Sequence, residues 1–81
     1  MNRLGLLILA TLKQANATSI VSAMSVYEIK DYASLTQSIT TMHRAMKYLL
    51  EQCYIQQGVK SSKSNTFYVS ENGLSQLKEM L

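Results

Sequence analysis

The stretch Ser38-Ile39-Thr40-Thr41-Met42-His43-Arg44-Ala45-Met46-Lys47-Tyr48-Leu49 decides the fold, because its apolar residues recur at the helical period and the other side stays polar. Ile39, Met42, Met46 and Leu49, continued by Leu50 and Cys53, form one apolar stripe. That stripe predicts a helix over about residues 36–52, starting at Thr36 or Ser38 and packed on a core. Advancing about 100° per residue gathers Gln37, Thr40, Thr41, Arg44 and Lys47 on the opposite side, with Tyr48 and His43 on its flanks.

Upstream, Ser25 and Glu28 stand in the Ser-x-x-Glu spacing of a capping box, so a second helix starts there, turns Val26 and Ile29 inward and ends near Ser34. Ser19, Ile20 and Val21 suggest a short strand before it. Leu4, Leu7, Ile8 and Leu12 give the inner stripe of a first helix ending near Gln14, while Leu6 and Leu9 lie on its other side. A helix apolar on two sides needs two covers, which is the reason to expect a homodimer through the first and last helices.

Downstream of the decisive helix the period becomes two: Ile55 and Val59 share a face, and so do Phe67 and Val69. Between them run Lys60, Ser61, Ser62, Lys63, Ser64 and Asn65, the polar and basic tip of a β-hairpin over about residues 58–68. Ser70 reads as an N-cap, and Leu74, Leu77 and Leu81 line the apolar side of a closing helix. The expected fold is therefore α+β, mostly α: a three-helix core, a short strand, a hairpin and a C-terminal helix in one domain spanning 1–81.

The chain of 81 residues carries eight Lys and Arg against five Asp and Glu, a net charge of +3 that suits an anionic partner without demanding one. One cysteine and one histidine supply neither a disulfide nor a structural zinc site, so no metal or cofactor is expected, and the reducing cytoplasm is the expected compartment. Arg3, the apolar run Leu4 to Leu12 and Ala15-Asn16-Ala17 imitate a secretory leader. The run's amphipathicity, the Lys13 that follows it and the core's need for a first helix argue against that, and the run is too short to cross a membrane, which takes about 20 residues. Gly5, Gly58 and Gly73 form no phosphate loop, the acids show no paired spacing and no serine has an evident base, so no catalytic residue and no enzyme is expected.

The element order, together with residues Ser38 to Leu49 and the run Phe67-Tyr68-Val69-Ser70-Glu71-Asn72-Gly73, resembles the winged helix-turn-helix superfamily, in particular MarR-like and PadR-like regulators. The resemblance implies a transcriptional regulator, a repressor, that binds double-stranded DNA. Its third helix would enter the major groove, with Arg44 on guanine, Gln37 on adenine and Thr40 and Thr41 in close approach. Lys47, Tyr48 and the wing residues Lys60 and Lys63 would hold phosphates. Blander readings stand beside these. The polar face can be a solvated helix surface, Met42, Met46 and Cys53 core packing, His43 a lone side chain, and the wing lysines solubilising groups. The alternative function is a winged-helix module that binds protein through Leu6, Leu9, Tyr27, Tyr32 and Tyr48 instead of DNA.

Overall fold

The first helix, α1 (Arg3–Gln14), opens at Asn2, whose side chain accepts the Gly5 amide hydrogen at 2.9 Å. The computed structural model describes residues 1–60 and 64–80. In it Leu4, Ile8, Leu9 and Leu12 are all buried, together with Gly5 and Thr11, over an arc of about 160°. The arc is this wide because the three later helices and the sheet all pack on α1. The placement of Leu9 on an outward side is thereby corrected: it is 0% exposed within one chain, while Leu7 is 36% exposed and Leu6 half-buried.

The expected strand at Ser19 to Val21 is also corrected. Ile20–Ser22 is a 3₁₀ turn, because the Ser22 hydroxyl accepts the backbone amides of Thr18 and Ser19 and folds the chain on itself. Val21 is left 87% exposed. The strand lies three residues on, as β1 (Met24–Ser25). Ser25 then caps α2 (Val26–Tyr32), its hydroxyl accepting the Glu28 amide at 3.2 Å while the Glu28 carboxylate accepts the Ser25 amide at 2.9 Å.

The third helix, α3 (Ile39–Glu51), is shorter than the expected 36–52, since Ser38 is its N-cap and receives the Thr41 amide at 3.2 Å. Next come β2 (Ile55–Gln57), β3 (Thr66–Val69) and α4 (Glu71–Met80). The three strands are antiparallel in the order β1-β3-β2, with Met24 opposite Phe67 and Ile55 opposite Val69. Three helices followed by a hairpin, with the second and third helices joined by a short turn, make a winged helix-turn-helix, α+β and mostly helical. Val59 departs from its expected face: it lies past the end of β2, 58% exposed, with its carbonyl taken by the Thr66 hydroxyl. Leu81 lies outside the described residues.

One core joins Leu4, Ile8, Leu9 and Leu12 to Val26 and Ile29, to Met42, Met46 and Leu49, to Ile55, Phe67 and Val69, and to Leu77. Met42 and Met46 are core, as their spacing implies. Cys53 is not: it follows the end of α3 with a φ of 62° and its thiol is exposed. The physical reason is a left-handed turn that carries it off the stripe, with the amides of Cys53 and Tyr54 bonded back to the carbonyls of Leu50 and Leu49. Asn16 and Ser34 end α1 and α2 in the same manner, with φ of 59° and 51°.

A left-handed residue with a Cβ costs about 1–2 kcal/mol, against the roughly 0.5–1 kcal/mol of chain entropy that glycine gives up. Cys53→Gly therefore raises stability by about 0.5–1 kcal/mol. Urea unfolding measures this as a higher midpoint at unchanged slope, and a lower midpoint contradicts the left-handed conformation.

Candidate nucleic-acid interface

The pose of α3 is set at its leading end. The Lys30 ammonium of α2 donates to the carbonyls of Leu35, at 3.0 Å, and Gln37, and so ties down the turn that delivers the chain to Ser38. Sequence reasoning missed this role, since a lone lysine on a short helix carries no signal of where it bonds. Ser38 then fixes the first turn through the Thr41 amide and, at 3.1 Å, the Thr41 hydroxyl.

From this anchored start, Thr40, Thr41, Arg44, Lys47 and Tyr48 all emerge exposed on the helix side away from Met42, Met46 and Leu49, as expected. They do not form one uniform face. Thr40, Arg44 and Lys47 point furthest from the core by their helical angle. Thr41, Arg44 and Tyr48 border a cleft of about 520 Å³ against Met1, Asn2, Leu4 and Gly5 at the start of α1. Glu51, also exposed, falls in angle beside Arg44 at the trailing end of the same face. A carboxylate there repels phosphate, which biases any nucleic-acid contact toward the leading turns.

Gln37 does not join this array. It precedes the N-cap, is half-buried, and its Oε1 is buried with no hydrogen-bond partner among the described residues. Paired contact to adenine uses both ends of the amide, so this placement does not suit the expected role. Lys60 is exposed at the base of the wing, and Lys63 lies outside the described residues. His43, without a role in the sequence reading, is exposed on the wing side of α3 and shares a cleft of about 230 Å³ with Val26, Tyr27, Ser64, Asn65 and Phe67.

Among the described residues no cluster of His, Cys, Asp and Glu is placed to hold a metal ion, and no helix is long and apolar enough to cross a membrane.

No family model matches the chain. The DNA-binding protein TubR of a Clostridium botulinum C phage is 31% identical over 74 residues, which span 91% of this chain and 89% of that protein. TubR from Bacillus megaterium pBM400 has a similar structure, with a TM-score of 0.86 at 21% identity over 99% of this chain and 86% of that one. The solution structure of the DNA-binding TubR fragment from Clostridium botulinum gives a TM-score of 0.75 at 30% identity, over 100% of this chain and 98% of the fragment. The phage protein and the Clostridium botulinum fragment are both described as DNA-binding.

Proposed function

The chain belongs to the TubR family of DNA-binding proteins, and on that premise we propose that it binds double-stranded DNA sequence-specifically and acts as a transcriptional regulator, a repressor. The observation that carries the reading is the anchored, exposed face of Thr40, Arg44 and Lys47 on α3. A helix of this width fits the major groove, where base edges display distinct hydrogen-bonding patterns. Arg44 grips guanine, Thr40 and Thr41 allow close approach, and Lys47, Tyr48 and the wing lysines Lys60 and Lys63 hold phosphates. The likeness of residues 38–49 to MarR-like and PadR-like recognition helices supports the same use of α3.

The protein works as one domain over residues 1–81, in the cytoplasm, as a homodimer joined through α1 and α4. With Leu9 buried, the support for that pairing is now Leu7 on α1 and the 45% exposed Met80 on α4. The same burial weakens the alternative protein-binding module, which counted Leu9 among its contacts.

Selection from a random duplex pool supplies the operator, and fluorescence anisotropy then tests the face. Arg44→Ala costs about 1–3 kcal/mol on the selected site and relaxes preference at one base pair. Lys60→Ala instead weakens all duplexes alike and lowers the salt slope by about one unit. Equal affinity of wild type and Arg44→Ala removes the assigned face.

A further inference from the structure

Between α2 and α3 the chain turns through residues 33–38, and one side chain ties the second half of that turn back to α2. Ser34 is left-handed, with φ of 51°, and the next amide, that of Leu35, donates to the Lys30 carbonyl at 3.0 Å. The Lys30 ammonium reaches further, donating to the carbonyls of Leu35, at 3.0 Å, and of Gln37, the residue before the Ser38 N-cap. Lys30 is thus bonded to the turn through both its backbone and its side chain. Leu35 packs against the core and fixes the middle of the turn. The ammonium fixes its exit, where the direction of α3 is set.

A lysine on the first helix of a helix-turn-helix invites assignment to a phosphate, since that helix crosses the backbone of the duplex. Here two of the three ammonium donors are already committed inward, and the side chain is half-buried. We infer that Lys30 is a positioning residue for sequence discrimination: it sets the angle at which α3 presents Arg44, and it does not act by neutralising a phosphate. This rests on the DNA-binding reading of α3. The lever is long. Arg44 stands six residues beyond Ser38, about 9 Å along the helix, so a pivot of about 10° at the N-cap moves it by roughly 1.5 Å. A binding constellation tolerates only about 0.5 Å. Phosphate contacts carry no sequence information and survive such a shift on any duplex. Loss of the tie therefore erodes preference for the operator far more than affinity for DNA at large.

The test compares wild type, Lys30→Met and Lys30→Arg by fluorescence anisotropy on the selected duplex and on an unrelated duplex of equal length, over a salt series. Methionine keeps the apolar stem and removes every donor. Arginine keeps the donors, and Lys30 borders a cleft of about 480 Å³ that admits the larger head. Lys30→Met is expected to bind the selected duplex about tenfold more weakly and the unrelated duplex within about twofold of wild type, at an unchanged salt slope. Lys30→Arg is expected to stay within about threefold of wild type on both. Amide hydrogen exchange of the free proteins checks the cause: in Lys30→Met the Leu35 and Thr41 amides exchange about fivefold faster, while the Met46 amide in the core is unchanged. Lys30→Met matching wild type on both duplexes, Lys30→Arg as weak as Lys30→Met, or exchange that quickens equally at Met46 each overturns the positioning role. So does an equal loss on both duplexes, and a salt slope lower by about one unit beside it makes Lys30 a phosphate contact instead. All of these leave the DNA-binding reading in place. Wild type that binds no duplex in a salt-sensitive way overturns both.

Discussion

Replacing Gly73 by alanine lowers folding stability by about 3 kcal/mol and the melting temperature by roughly 15 °C. Gly73 is buried in the first turn of α4, where a Cβ would stand 2.1 Å from the Tyr54 carbonyl oxygen and 2.8 Å from Val69 Cγ2. The obstacle is backbone, which cannot rotate aside. The same carbonyl accepts the Ser70 amide at 3.0 Å, and Ser70 in turn joins α4 to α3 by accepting the Gly73 amide and donating to the Cys53 carbonyl at 2.6 Å. Asn72 adds a bond to the Gln52 carbonyl at 3.2 Å. A methyl group at residue 73 therefore pushes α4 off the end of α3 and stretches three contacts at once. Alanine recovers only about 1 kcal/mol of helix propensity against this. Calorimetry of the single variant checks it, and an unchanged melting temperature would show that α4 does not approach Tyr54 so closely.

Leu9→Ala is expected to cost about 3 kcal/mol, within the range for emptying a buried leucine site. The side chain has no exposed surface, in a core fed by four helices and the sheet, so the cavity cannot close without moving several elements. The loss must be the same at every protein concentration, because Leu9 is covered by its own chain. Leu7→Ala provides the contrast. Its side chain is partly exposed, so it changes the stability of the isolated chain by less than about 0.5 kcal/mol. If α1 forms a dimer face, Leu7→Ala weakens sedimentation-detected association instead. A Leu9→Ala loss that shrank on dilution would return Leu9 to a subunit interface.

The helices were largely legible because each carries its own marks. The capping box at Ser25 and Glu28, the N-cap at Ser70 and the period of residues 39–49 are local signals, and local hydrogen bonds satisfy them. What was not legible depended on neighbours distant in sequence. Leu9 looked outward only because the number of elements around α1 is not written in α1. Ile20 and Val21 have strand propensity, yet the Ser22 hydroxyl bends them into a 3₁₀ turn. Cys53 continues the apolar stripe in sequence, but its left-handed backbone ends the helix two residues earlier, and no glycine marks the place. At the candidate site, periodicity gathered Thr40, Arg44 and Lys47 correctly. It also placed Gln37 with them, because the helix was extended past its cap, and it had no means of bringing Tyr27 and Asn65 next to His43.

The order of the strands also governs when a chain being synthesised becomes competent. β3 lies between β1 and β2, so residues 24–25 and 55–57 both wait for residues 66–69 before either has a ladder partner. The Val69 amide then closes onto the Ala17 carbonyl at 2.9 Å, joining opposite ends of the sequence. Such distant pairing is costly in loop closure and is repaid only when complete. A ribosome that has released the chain through Gln57 has already delivered all of α3, but without the frame that holds it. The frame that sets the pose of α3 is therefore complete only once residues 66–69 are in place.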